Sequence, residues 1–474
     1  MKESEKVAEP DSIRLGLSVP LFTAAIIAIA AGTLVGMIGI WGAAAWGKPV
    51  PEWQKIGHAH SSWWGVLLII ASMLMPYANL KPTLKRLITI IAFIAPVLWI
   101  SMLASYYETG KKILAFGVVS AILEILLFAS LLLVALSALV RIPFFYHKSE
   151  PSRFDIVSDV YVQKGIFLIP TLIIFVGVLV GFALAWTFKI TLSPIKPAAL
   201  VQLHDHVILI SASAMIILLA MSVFKVSNGV FKLAYNLMRI ALPLTLIGLI
   251  LFNVFAVHSL VWVIPAGIYF ILLLLSIPAI YLSKGSGSAS ERGSSQPAQL
   301  PLVFPIKLST TISLSVLAIL ISTGAYIALA YDTSPYITVT YKQPAGSPYP
   351  GPYPSEYIGT APAKDTPRGL ENAHLSPGSW FHVAIAWLIV LALFGDKLFG
   401  KRVGLLNLLI ATIPMAPLFN TLGRYLAWLG IPNGIGALWF AGHPLKGFNI
   451  VVLFIVGVVA IYTMKKAVKS KEIR

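Results

Sequence analysis

The sequence predicts an all-α polytopic membrane protein: about 12 transmembrane helices in three four-helix sets, with both termini cytoplasmic. Three observations predict it. Hydrophobic residues make up 58% of the 474-residue chain and charged residues only 11%; with a mean hydropathy of +0.86, this excludes an ordinary soluble domain. Lys and Arg fall unevenly between alternate loops. A histidine also stands at the mouth of a long apolar segment three times.

A helix needs about 20 apolar residues to cross the hydrocarbon core. Runs near that length occupy 15–46, 60–80, 84–106, 112–140, 164–189, 205–225, 232–257, 259–283, 306–331, 378–396, 402–429 and 445–464. The residues ahead of the first run carry mixed charge, and no short apolar stretch ends at a cleavage-like site. The first run therefore reads as a true span rather than a signal peptide. With the N-terminus inside, 24 Lys and Arg lie on the cytoplasmic side and 11 outside. The net charge of +17 then records topology, as the positive-inside rule requires, and not a nucleic-acid partner. The expected location is the cell (plasma) membrane. Cysteine is absent, which excludes disulfides, thiolate-held iron–sulfur clusters and covalently attached c-type haem. Any metal must be held by His, carboxylate, Met or Tyr.

The three sets are 1–146, 147–283 and 305–474. A flexible Gly/Ser-rich cytoplasmic linker, 284–304, separates the last two. Each set runs span, external loop, His-headed span, basic loop, span, short turn, span. Four is even, so all three sets point the same way and His60, His206 and His382 fall near the external face. The first span of each set carries small residues that permit close packing: Gly32 and Gly36, Gly177 and Gly181, then Gly324. The Pro-, Tyr- and Gly-rich loop 332–377 is external; it either covers the mouth and docks a partner or is an extended segment.

His58 and His60 lie about 200° apart round a helix axis, so both cannot face one cofactor. His60 reads as the inward one, ahead of Ser61, Ser62 and Gly65, with His58 in the loop. The alternative is a pair of interfacial histidines among Trp53, Trp63 and Trp64. His204-Asp205-His206 suits a copper-like or zinc-like ion, or a haem oriented through Asp205; Asp205 itself reads as a helix cap ahead of a ligand. His258 ends the seventh span at the depth of His206, as ligand or interfacial filler. His374 falls in the loop before Pro377 and Gly378. His382 lies a turn inside the tenth span, beside Ala384 and Ala386, as the best ligand candidate or as a buried imidazole bonded to a hydroxyl. Arg424 either pairs with carboxylates such as haem propionates or snorkels outward. Glu124, mid-way along the fourth span, reads as a proton relay or as a protonated structural carboxyl.

These residues resemble those of the main subunit of the haem–copper oxidases and their nitric-oxide-reductase relatives. The resemblance implies twelve spans in three pseudo-symmetric arcs, with metals near the external side. It makes His60 similar to the span-two haem ligand, His206 to the span-six ligand and His382 to a span-ten ligand. His258-Ser259-Leu260-Val261-Trp262 is similar to the segment that carries a His-His pair, and Gly423-Arg424-Tyr425 to the arginine motif that meets haem propionates. Ser259 stands where the second histidine of the pair belongs, span ten lacks His-x-His, and no tyrosine follows His206 at cross-linking distance. A full binuclear centre is therefore not implied. His-x-His followed by a glycine is also similar to NnrS-like membrane proteins.

The function this implies is a haem-binding integral membrane subunit of a respiratory complex. It would use haem b between His60 and His382, with His58, His374 and Arg424 nearby. It would pass electrons between quinol and a partner redox protein, such as an external cytochrome or copper protein. His204, His206 and His258 would hold a second metal such as copper. Alternatives are a divergent terminal oxidase or nitric oxide reductase, a 12-span secondary transporter, or a cofactor-free membrane anchor.

Overall fold

The structure is a computed structural model. It describes residues 11–37, 51–110, 112–148, 150–185, 198–255, 257–283, 300–330, 378–399 and 412–428, with a few isolated positions beyond. His374, the loop 332–377, the linker 284–299, both termini, most of the twelfth expected span and the side chain of Arg424 lie outside the described residues.

Among the described residues, nine helices are long and apolar enough to cross a membrane. They are α1 (Val19–Met37), α2 (Glu52–Leu74), α3 (Pro82–Glu108), α4 (Leu114–Leu139), α5 (Gly165–Ala185), α6 (Ala198–Val223), α7 (Asn228–Phe255), α8 (Leu260–Leu282) and α9 (Leu300–Ala330). They answer the first nine expected spans. α10 (Gly378–Phe399) and α11 (Met415–Trp428) follow; α10 carries a shorter apolar stretch, Trp380–Gly395. The chain is a helical, multi-pass membrane protein.

Local chemistry sets the helix ends. Pro82 occupies the first turn of α3, where its missing N–H costs no hydrogen bond. Gly110 closes that helix with φ +61°. Prolines inside α3, α5, α7, α8 and α9 are tolerated because neighbouring helices and hydroxyls satisfy the freed backbone groups.

Several boundaries differ from expectation. The helix α9 starts at Leu300, so the end of the expected 284–304 linker is helical, and residues 15–18 of the first expected span belong to a strand. Two further helices start early for one shared reason. α2 starts at Glu52 and α6 at Ala198, each about two turns before the apolar run begins. Hydropathy marks where a helix enters lipid, whereas hydrogen bonding continues it into the polar margin. Both His58 and Asp205 are therefore helical: His58 is not in the loop, and Asp205, which is exposed, caps no helix start.

The fold is not purely helical. β1 (Ser12–Ser18) pairs antiparallel with β2 (Asp155–Gln163), from Ser12↔Gln163 to Ser18↔Asp155, with an irregularity between Arg14 and Gly16. Ile13, Leu15 and Leu17 alternate and are all buried, the period-two signature of a half-buried strand. Arg14 spans the pair, with Nε donating to Ser158 O at 2.6 Å and Nη2 to Asp159 Oδ1 at 2.6 Å. This sheet marks one end of the molecule. The Lys397 ammonium donates to Val157 O there, and the Asn79 and His147 amides bond Ser137 O and Asn79 O. Asn79, Ser137, His147 and Lys397, from three of the loops expected inside, thus lie at the same end as the sheet.

Asp155 gives that end a pH dependence. Burial raises its carboxyl above the ordinary range, opposed by the Ser152 N–H and hydroxyl, the Lys85 charge and the Ser18 hydroxyl. A raised folded-state pKa means the native state holds this proton more tightly than the unfolded chain. The penalty is absent below the ordinary carboxylate range and complete above the raised value, so stability falls as pH climbs between the two. Asp155→Asn is expected to flatten this slope in thermal unfolding of detergent-solubilised protein between pH 4 and pH 7.

The helices form an inner and an outer group. α2 and α6 have 83% and 78% of their spanning windows buried, against 33% for α5 and 39% for α3, α4 and α8. α10 is buried continuously from Trp380 to Leu391 and packs on both α2 and α6. The three histidine-headed helices are thus the central ones. The outer helices turn Ile90, Ile94, Ile122, Ile125, Ile247 and Ile264 outward, as helices that face lipid do. α1 packs along α2 and α5 along α6, while α3 pairs with α4 and α7 with α8.

Candidate functional site

His58 and His60 point opposite ways from α2, as their spacing requires. His58 Nδ1 lies 2.8 Å from Gly32 O of α1. Its ring fills space left by Gly36, where an added Cβ would sit 2.3 Å from Nδ1. His60 Nδ1 lies 2.9 Å from Ile56 O in its own helix, and its ring faces the interior.

The second set repeats this arrangement. His204 Nδ1 lies 2.8 Å from Gly177 O of α5, and Gly181 makes room for the ring, since an added Cβ would sit 2.3 Å from Cε1. His206 Nδ1 lies 3.0 Å from Gln202 O. The strand–helix–helix order β1–α1–α2 recurs as β2–α5–α6, with matching side-chain bonds at matching places.

A carbonyl oxygen only accepts hydrogen bonds. In all four histidines Nδ1 therefore carries the proton, and the neutral ring presents its lone pair at Nε2. Backbone support at one ring nitrogen is how metal-ligating imidazoles are usually held.

His60 and His204 meet. Their ring centroids are 6.0 Å apart with 24° between planes. Trp99 stacks on His60 at 5.3 Å, and Trp64 stands edge-on to both, 6.1 Å from His60 and 4.6 Å from Trp99. Glu124 completes the cluster, its Oε1 3.7 Å from His60 Nε2, with 16% of the Glu124 side chain and 27% of the His60 side chain exposed. That separation exceeds a direct hydrogen bond. The mid-span carboxyl thus lies beside an expected ligand.

The other candidates are placed differently. His382 is fully buried. Its Nε2 contacts Ser213 Oγ of α6, and Ser213 donates its own proton to Leu209 O at 2.7 Å, so the imidazole is the donor. The His382 ring lies 4.6 Å from Trp63. This is the hydroxyl-bonded arrangement, with Nε2 engaged by serine. His206 packs edge-on against Trp262 at 5.5 Å, away from the His60–His204 contact. His258 is exposed, and its Nδ1 accepts the Leu260 N–H at 3.2 Å at the start of α8. Among the described residues no three His, Asp or Glu side chains form a metal-ligand group.

Sequence reasoning missed Trp99, Ser213 and the carbonyls of Gly32 and Gly177. One signal was available for the last two: each glycine precedes its histidine by 26 or 27 residues, so small residues and imidazoles repeat in step. Trp99 had no such mark. No family model, curated protein or solved structure matches the chain.

Proposed function

We propose that the chain is a haem-binding integral membrane subunit of an electron-transfer complex in the plasma membrane, passing electrons between a quinol and a partner redox protein. The observation that carries this reading is the His60–His204 pair, two Nδ1-anchored imidazoles with near-parallel rings 6.0 Å apart. A metal about 2.0–2.1 Å from each of two imidazole nitrogens separates ring centroids by roughly 6 Å, so the observed spacing fits a bis-imidazole centre. His60 and His204 would hold a b-type haem. The group would supply one-electron redox chemistry, with a potential set by its ligands and the dry surroundings.

The chain's own residues do the rest. The carbonyls of Ile56 and Gly177 fix ring orientation. Trp64 and Trp99 wall the site from water, and Glu124 holds or releases a proton beside His60. A reduced-minus-oxidised spectrum of the purified protein with pyridine haemochrome analysis tests the reading. A low-spin b-type signature is expected, and a colourless, iron-free protein would sink it.

A second reading is favoured by one observation. The Glu124–His60 pair lies within the membrane, as proton-coupling groups of secondary transporters do. Proton-dependent uptake into proteoliposomes by colourless protein would select it.

A further inference from the structure

An apolar cleft runs alongside this site. It lies between α2, α4 and α5, lined by Leu67, Ala71 and Leu74, by Phe128 and Ala135, and by Thr171 among others. Phe175, Leu132 and Val178 on its rim are exposed or half-buried, so it opens sideways towards lipid.

Helical register joins the cleft to the histidines. On α2 the lining residues Leu67, Ala71 and Leu74 continue a stripe that begins at His60 and Trp64. On α4, Phe128, Leu131 and Ala135 continue the stripe of Glu124. On α5, Val178 lies one turn from Gly181, which meets the His204 ring. Residues three and four apart share a helix face, so all three walls lead to the same polar cluster. The 6.4 Å edge contact of Trp64 with Phe128 marks the junction.

Two features at the head of those stripes, one turn beyond the cleft's own lining, ask for a polar ligand. Trp64 is 1% exposed, and its indole N–H has no hydrogen-bond partner among the described residues, a cost of about 1–3 kcal/mol unless a ligand oxygen accepts it. Glu124 supplies an acceptor. Glu124 is the eleventh residue of α4, about 15 Å along its axis at 1.5 Å per residue, near the middle of a core about 30 Å thick. Phospholipid headgroups lie at the interface and cannot reach that depth, although an acyl chain can.

We propose that this cleft docks a lipid-soluble hydroquinone. Its ring lies between Trp64 and Glu124, one hydroxyl donates to the Glu124 carboxylate, an oxygen accepts from Trp64, and the apolar tail leaves between α4 and α5. The choice of a hydroquinone over other lipid-soluble phenols rests on the electron-transfer reading; the depth and polarity of the site do not.

The test uses full-length protein in nanodiscs and a decyl-substituted benzoquinone in its oxidised and reduced forms, with binding measured by calorimetry. Ala135→Phe fills the cleft, and Leu132→Trp, which alters only a half-buried rim position, blocks its mouth without disturbing the interior. Each is expected to weaken probe binding about tenfold or more. Glu124→Gln is expected to weaken the hydroquinone more than the quinone, because the carboxylate accepts only from the reduced form's hydroxyl. Unchanged binding in Leu132→Trp would overturn the proposal. So would equal displacement of the probe by decanol, which would show a cleft for acyl chains alone. The visible spectrum separates the two claims: cleft-dependent binding by a colourless protein defeats the haem reading only, whereas a normal spectrum with cleft-indifferent binding defeats the docking site only.

Discussion

His60→Ala and His204→Ala are each expected to abolish the low-spin haem spectrum of the purified protein, while His382→Ala keeps it. The two readings of the axial pair differ here. The family resemblance joins His60 to His382, whereas the structure sets the His60 and His204 centroids 6.0 Å apart and bonds His382 Nε2 to Ser213. On this reading, removing either imidazole would take away one of the two groups that hold the haem. The loss should therefore appear as a shifted Soret band and weaker haem retention, and not as a change in folding. His382→Ala removes a buried ring and is expected to cost about 2–4 kcal/mol through the cavity it leaves, with the visible bands unmoved. A spectrum lost in His382→Ala and kept in His204→Ala would restore the sequence-based pair. Thermal unfolding of all three proteins, measured in parallel, separates the two kinds of loss.

The second large effect comes from one methyl group. In Gly181→Ala the new Cβ would sit 2.3 Å from His204 Cε1, closer than two carbons can approach, so the ring or α5 must move. Overpacking of this kind costs about 1–3 kcal/mol. Because the ring that yields is a proposed ligand, the spectrum should change with the stability. Gly36→Ala makes the same clash with His58 but should leave the spectrum nearly intact, since His58 faces α1 rather than the His60–His204 contact. Gly267→Ala is the control: nothing lies within 4 Å of its added Cβ. Alanine in a helix is worth up to about 1 kcal/mol over glycine, so that variant should be as stable as the parent or slightly more so. Equal spectra from Gly181→Ala and Gly267→Ala would argue against His204 as a ligand.

How much of this was legible in the sequence follows from the range of each interaction. The positions of α1 to α9 were readable because lipid imposes a length and a polarity on every spanning segment. The opposite facing of His58 and His60 was readable because helix geometry is local. The early starts of α2 and α6 were hidden, since Glu52, Gln54 and Lys55 make the first turns of α2 look like loop. β1 was hidden in another way: Ile13, Leu15 and Leu17 alternate, but they run straight into the apolar α1 and read as its beginning. The His60–His204 contact could not be read at all, because it depends on how two central helices are rotated across a gap of about 140 residues. Glu124 was recognised as an unusual carboxyl, yet its partner lay on another helix.

The β1–β2 pairing has a consequence for how the chain is made. Arg14 binds a carbonyl 144 residues later, so β1 emerges first and has nothing to pair with until Ser158 leaves the ribosome. At about 5–20 residues per second that interval lasts roughly 7–30 s. During it, α1 to α4 enter the membrane with an unsatisfied strand edge beside them, the kind of edge that recruits other chains. Synthesis of β2 ends the exposure and ties the first four helices to the start of the next four. A ribosome stalled just short of residue 155 would therefore hold a nascent chain ready to aggregate, and one stalled a few dozen residues later would not.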